Sequence, residues 1–250
     1  MSDSTKTVIV TGGVGGLGSV MCEKFAEAGN RVYALDLDKE KGESMEVRMR
    51  EKGYDFSFIQ MDLTSEEDWA KAVASIVRNV NSIDVLINNA GINIRKPIEE
   101  MNIDEWNTMM RVNTGSVFLG CKYVIPVMKE QHDGVIINMS SVCGLVGHKY
   151  TPEAYTASKG AVTMLTKAVA SRYAQFGIRS NSIHPSTVDT PLVQKLFENP
   201  ERKAERLGEV PLGRLCSADD VANAAVFLAS EKASFINGLA MSVDGGVTCY

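Results

Sequence analysis

Tyr155 and Lys159 stand four residues apart in Tyr-Thr-Ala-Ser-Lys, a spacing that sets both side chains on one face of a helix, one turn apart. A free tyrosine has a pKa of about 10, too high for a base at neutral pH. A neighbouring ammonium favours the phenolate, so the pair reads as an acid/base acting on an alcohol oxygen. Upstream lies Ser140-Ser141, directly after the apolar run Val135-Ile136-Ile137. A hydroxyl just beyond the carboxyl end of a strand sits where open α/β sheets bind ligands.

A third candidate is the turn Thr11-Gly12-Gly13-Val14-Gly15-Gly16-Leu17-Gly18, which follows the apolar run at 7–11. Glycines between a strand and a helix permit a tight turn, close approach of backbone to a pyrophosphate and close packing of the two elements. The free N–H groups of the helix start then favour phosphate. Two registers fit: Gly13, Gly15 and Gly18, or Gly12, Gly16 and Gly18. Asp36 stands eighteen residues beyond Gly18 at the end of a second apolar run. A carboxylate there accepts hydrogen bonds from the adenosine ribose hydroxyls and repels a 2′-phosphate. No Arg or Lys stands in the turn or directly after Asp36, although Lys39 and Lys41 are close. The expected cofactor is therefore NAD rather than NADP.

The elements that must position these groups alternate along the chain. Short β-branched runs at 7–11, 31–35, 56–61, 83–87, 135–139, 179–184 and 239–243 read as strands. Several are apolar almost throughout, as strands covered on both faces are. Helical patterns fill the gaps, with Thr64-x-x-Glu67 and Ser217-x-x-Asp220 resembling capping boxes. The expected fold is α/β, a single Rossmann-type domain over residues 1–250, with a doubly wound seven-stranded parallel sheet and helices on both faces.

The chain is 250 residues long, with 26 Lys+Arg against 31 Asp+Glu and 44% hydrophobic residues. No basic block or basic-aromatic stripe stands out, which argues against nucleic acid and anionic membranes as partners. Apolar runs fall far short of the roughly 20 residues that span a bilayer. A strand begins too early for a signal peptide, and the five cysteines are scattered and odd in number, so the expected location is the reducing cytoplasm. His132, His148 and His184 have no ligand-like spacing, and no metal is expected.

Taken in order, Thr11-Gly12…Gly16-Leu17-Gly18, Asp62-Leu63, Asn88-Asn89-Ala90-Gly91, Asn113, Ser140-Ser141, Tyr155-x-x-x-Lys159 and Asp244-Gly245-Gly246 resemble the short-chain dehydrogenase/reductase family over the whole length. The resemblance implies an oxidoreductase moving a hydride between NAD and a secondary alcohol or ketone. It implies Tyr155 as general acid/base, Ser141 (rather than Ser140) orienting the substrate oxygen, and Lys159 also holding the nicotinamide ribose. Asn113 would hold a water in the proton relay to Lys159. Asp62, ending strand three, would meet the adenine edge beside Leu63, and Asn89, Ala90 and Gly91 would line the cofactor cleft. One departure stands out. The family usually reads Pro-Gly after strand six, but here it is Pro185-Ser186. Serine cannot take glycine-only conformations, so the loop over the nicotinamide carboxamide is expected to be reshaped and to bring a hydroxyl towards the site. Val188 and Thr190 still match, which implies that cofactor contact survives.

The substrate loops map to 92–96, 143–150 and a lid at 191–211. Ile92, Ile94, Leu145, Val146, Leu192, Val193, Leu196 and Phe197 suggest a small or medium, mostly apolar substrate. Arg95, Lys96, Lys149 and Arg214 could bind an anionic group, with solvated loop charges the plainer reading. Long helices at about 104–130 and 153–175 are apolar nearly all round, which predicts a second buried side and a homo-oligomer, dimer or tetramer. Alternatives are an NADPH-dependent ketoacyl-type reductase, opposed by Asp36, and an NAD-binding regulator without turnover.

Overall fold

The computed structural model describes residues 5–190, 193–194 and 198–249. Strands β1 (Thr7–Thr11), β2 (Arg31–Asp36), β3 (Phe56–Gln60), β4 (Val85–Asn88), β5 (Gly134–Met139), β6 (Ile178–Pro185) and β7 (Ala240–Val243) form one sheet. The order is β3-β2-β1-β4-β5-β6-β7, with every pairing parallel. The chain starts in the middle, winds outward one way to β3, then returns to β4 and winds the other way. The crevice therefore opens between β1 and β4, at their carboxyl ends.

Both faces are covered, and the side chains show it. Val8 and Val10 of β1 join one core with Met21 and Phe25 of α1 (Gly16–Glu27) and Val221, Ala225 and Leu228 of α8 (Ala218–Ala229). Ile9, between them, joins the other core with Trp69 and Ile76 of α3 (Glu66–Val80). That second core also takes Val124 and Met128 of α5 (Ser116–Gln131) and Val162 of α6 (Glu153–Tyr173). Alternate residues of one strand thus feed two layers, the period-2 rule of a pleated sheet. The other helices are α2 (Lys39–Glu51), α4 (Ile103–Met110) and α7 (Pro200–Gly208).

Three sequence expectations are corrected. Helix α3 is capped one residue later than expected: Ser65 accepts from the Asp68 N–H at 3.2 Å, while the N–H and hydroxyl of Thr64 are spent on Asp62, both at 2.8 Å. Strand β3 ends at Gln60, so Asp62 lies two residues past it, on the loop. The expected helix at 104–130 is broken by a π-turn at Arg111–Gly115, one wide turn that re-aims the side chains around it. By contrast, Ser217 and Asp220 form the capping box read from the sequence.

Of the expected lid, Pro191, Leu192, Lys195, Leu196 and Phe197 lie outside the described residues. Its remainder carries α7, tied to the loop after β5 by a cluster with no local sequence signal. Glu209 lies 3.2 Å from both His148 and Arg206, and the Arg206 guanidinium stands 4.8 Å from the Tyr150 ring centroid.

Candidate active site

The glycine turn wraps across the crevice. Gly12 has φ +61°, in the left-handed region that favours glycine, and a Cβ there would meet the Ala90 Cα at 3.0 Å. A Cβ on Gly18 would lie 2.0 Å from the Gly12 carbonyl oxygen, so helix α1 can approach the strand only as glycine. A Cβ on Gly16 would instead meet only ordinary van der Waals contact, with Thr190 at 3.7 Å. No side chain caps α1 and no acid lies in its first turn. The helix start is left with free N–H groups facing the crevice, which fits a pyrophosphate.

Thr11 and Asn89 fasten this turn to β4. The Thr11 hydroxyl accepts the Asn89 N–H at 2.9 Å and the Ala90 N–H at 3.2 Å, and the Asn89 amide donates to the Thr11 carbonyl at 3.0 Å. Asn89, Ala90 and Gly91 then follow the carboxyl end of β4, as expected from the sequence. Asp36 closes β2 and accepts N–H groups of Val14 at 3.3 Å and Asp38 at 3.2 Å. The two nearby lysines are engaged elsewhere: Lys41 with Asp38 at 2.7 Å and Lys39 with Glu43 at 3.6 Å.

One cleft of about 680 Å³ gathers nearly all of the sequence candidates: Gly12, Gly16, Leu17, Gly18, Asp36, Asp62, Leu63, Asn89, Ala90, Gly91, Ser141, Tyr155, Lys159, Pro185, Val188 and Thr190 all line it. Asn113 does not line it directly but stands beside it. A Cβ on Gly91 would be 3.3 Å from the Asn113 Oδ1 and 3.4 Å from the Lys159 Nζ. The π-turn aims Asn113 inward, where it accepts the Ile92 N–H at 2.7 Å and donates to the Ile92 carbonyl and the Ser158 hydroxyl. Its amide group is thereby committed to bracing the Gly91–Asn93 loop against α6.

The two serines of the pair have different fates. Ser140 is buried and donates to the Lys159 carbonyl at 2.9 Å, an internal strand-to-helix tie. The Ser141 hydroxyl accepts the Cys143 N–H at 3.2 Å and lies near enough to the Tyr155 phenol to lower its pKa. Tyr155 and Lys159 are adjacent on α6, with Nζ 5.7 Å from the phenol ring centroid.

Their electrostatics differ from the sequence expectation. Burial pushes the Tyr155 phenol up to about 12, with Ser141 and Arg95 pulling it down only in part. Lys159 turns its ammonium to the Met139 carbonyl at 2.8 Å, and burial pushes it down to about 8. Desolvation disfavours the charged form of each.

This has a consequence for stability. Lys159 titrates at about 8 in the fold against an ordinary 10.5, so between those values the unfolded chain binds the extra proton. Stability then rises with pH across that window. Lys159→Met removes this gain, on the order of 2–3 kcal/mol. Denaturant midpoints of the two proteins at neutral pH and above pH 10 should diverge in favour of the wild type at the higher pH. Parallel pH dependence of the two would refute a buried, depressed Lys159.

Asn81 and His132 are the non-glycine residues with positive φ among those described, so Ser186 stands outside the left-handed region that favours glycine. Its hydroxyl is buried without a hydrogen-bond partner, at the wall of the same cleft. Of the loop cations, Lys96 pairs with Glu105, Lys149 with Glu205 and Arg214 with Asp220. Among the described residues no three His, Cys, Asp or Glu side chains converge as a metal site, and no helix is long and apolar enough to cross a membrane.

Comparison with known proteins now bears on this cleft. A family model described as enoyl-(acyl carrier protein) reductase matches residues 13–248. The cyclopentanol dehydrogenase of Comamonas sp. (strain NCIMB 9872) is 41% identical over 97% of this chain and 97% of its own. A solved oxidoreductase of the short-chain dehydrogenase/reductase family from Burkholderia thailandensis superposes with a TM-score of 0.89, at 30% identity, over 99% of this chain and 94% of that one. The chain belongs to the short-chain dehydrogenase/reductase family. Short-chain dehydrogenases bind a nicotinamide cofactor, and a further solved structure, from Beutenbergia cavernae, holds NADP at low occupancy. That chain is 30% identical, with a TM-score of 0.92 over 100% of this chain and 99% of its own.

Sequence reasoning missed one residue of this site. His184 of β6 is fully buried, with Nδ1 2.8 Å from the Ser141 carbonyl and Nε2 2.8 Å from the Ser182 hydroxyl. Its sequence signal was slight, a histidine in a strand, Ile178–Pro185, that already carries Arg179, Ser180, Asn181 and Ser182.

Proposed function

We propose that the protein is an NAD-dependent dehydrogenase of a small or medium, mostly apolar secondary alcohol, a cyclic one in particular, working equally as a ketone reductase. The observation that carries this reading is the meeting of Ser141, Tyr155 and Lys159 in one cleft with the open glycine turn and Asp36. The cyclic substrate follows the cyclopentanol dehydrogenase likeness. In oxidation, Ser141 hydrogen-bonds the alcohol oxygen and Tyr155 takes its proton. Bound NAD supplies the hydride acceptor. Lys159, poised near 8 by burial, is able to release a proton close to neutral pH and so pass the one from Tyr155 towards solvent. Asn113 serves by holding the Ile92 backbone open beside Lys159, where a relay water would stand. Reduction of a ketone runs the same steps backward.

Ile92 lines the cleft and is partly exposed there, an apolar contact for the ring in this reading. Oxidation of cyclopentanol with NAD, followed by the ultraviolet absorbance of reduced nicotinamide, tests the reading. Turnover with NADP alone would overturn the cofactor choice, and no turnover with any secondary alcohol would return the NAD-binding regulator to first place.

Ser186 belongs to the substrate side of this scheme. Ser186→Gly deletes a buried, unpartnered hydroxyl, and the expected result is a changed ranking of alcohols by kcat/KM with little change in NAD affinity. A large loss of NAD binding with unchanged ranking would refute that placement.

The protein also works as a dimer or tetramer in this reading. Phe118 on α5 and Met164 on α6 are half or more exposed, beside a groove of about 430 Å³ walled by Ile125, Leu165 and Tyr173. Apolar helix faces of this kind are covered by self-association. Light scattering should return a multiple of the 27.2 kDa chain mass, and a monomer mass would contradict it.

A further inference from the structure

We propose that His184 is a positioning residue for the reaction, its imidazole holding the Ser141 backbone so that the Ser141 hydroxyl keeps its place in the cleft that Tyr155 also lines; the role rests on the functional reading above. The β5–β6 ladder ends at Met139 and Ile183, with one last bond from the Ser140 N–H to the Ile183 carbonyl at 2.9 Å. Ser141 therefore lies just past the point where strand pairing stops holding the chain. Its carbonyl is taken by the Gly144 N–H at 2.8 Å, which is local, and by His184 at 2.8 Å, which is the tie to the sheet.

The chemistry of the partners sets the tautomer. A carbonyl oxygen only accepts, so Nδ1 must carry the proton, and Nε2 is then the acceptor for the Ser182 hydroxyl. The opposite tautomer would set the Nδ1 lone pair against the carbonyl. The Ser141 carbonyl thus selects the tautomer, and the Ser182 hydroxyl, which can donate or accept, satisfies the Nε2 lone pair that this tautomer leaves. Burial also holds His184 below its ordinary pKa, which keeps the ring neutral.

The test has two arms. The protein holds three histidines, so a nitrogen–proton NMR correlation of the labelled imidazoles, assigned with His184→Asn, reports the tautomer directly. The expected result is a proton on Nδ1 of His184; a proton on Nε2 overturns the proposal. In the second arm, kcat of His184→Ala with cyclopentanol should fall about tenfold or more, the scale of a small misplacement at a reacting centre, with KM and NAD affinity nearly unchanged. His184→Asn, which returns an N–H close to the place of Nδ1, should restore most of the kcat, and Ser182→Ala should lie between. Equal loss in the Ala and Asn variants, or an unchanged kcat in both, overturns the role. If His184→Ala fails to fold, the Asn and Ser182→Ala variants with the tautomer still decide. A wild-type enzyme inert to every alcohol overturns the functional reading and this role together, whereas an active enzyme with the wrong tautomer overturns this role alone.

Discussion

Tyr155→Phe should lower turnover by roughly 10² or more, the scale of losing a positioned acid/base, while NAD still binds. The substitution keeps the ring in its half-buried place and removes only the oxygen that meets Ser141. The pH dependence sharpens the test. Burial pushes the phenol up to about 12, so the tyrosine is protonated at neutral pH and must lose its proton before it can accept one from an alcohol. Alcohol oxidation by the wild type should therefore climb as pH rises through the alkaline range, approaching about tenfold per pH unit well below the apparent pKa. Ketone reduction, which needs the protonated form, should not climb. The residual activity of Tyr155→Phe should lose the slope. Near-normal turnover in the variant, or a flat profile in the wild type, would mean that Tyr155 is not the proton carrier.

Wild-type kcat/KM should favour NAD over NADP by on the order of a hundredfold or more. The carboxylate of Asp36 lines the cleft at the end of β2. Each charge-assisted hydrogen bond from a ribose hydroxyl contributes roughly 1.5–3 kcal/mol. A 2′-phosphate there would meet the carboxylate instead, and such like-charge contact costs several kcal/mol; about 1.4 kcal/mol is tenfold. The lysines that would offset this are paired with Asp38 and Glu43. Asp36→Ala should shrink the ratio mainly by weakening NAD. Leu37 is 67% exposed, so adding Leu37→Arg places a cation with no cost to the core and should let NADP bind. Equal efficiency with both cofactors in the wild type, or a preference for NADP, would refute the role of Asp36.

Much of this was legible because the strands are short apolar runs between long helical patterns, and because the glycine turn, Asp36, Tyr155 and Lys159 each announce themselves by residue type and spacing. What stayed hidden depended on partners far along the chain. The π-turn at Arg111–Gly115 carries a helical pattern straight across it, and the loop that Asn113 grips lies twenty-one residues earlier. Thr64 looked like a cap, but Asp62 claims it and leaves the cap to Ser65. The spacing of Tyr155 and Lys159 showed that they are neighbours, not that burial would disfavour the charged form of each. Ser186 stood out in the sequence only as a missing glycine, which does not reveal that its hydroxyl is buried without a partner. His184 had Ser182 beside it, but the partner that matters, the Ser141 carbonyl, lies past the end of β5, forty-three residues away.

The central claim is that a hydride leaves the carbinol carbon of a secondary alcohol for NAD in this cleft. Cyclopentanol carrying deuterium on that carbon tests it directly. The account predicts reduced nicotinamide that carries the deuterium, formed with NAD well ahead of NADP, and cyclopentanone as the other product. Reduced nicotinamide without the label, or no reduction of NAD across a panel of cyclic secondary alcohols, would contradict it.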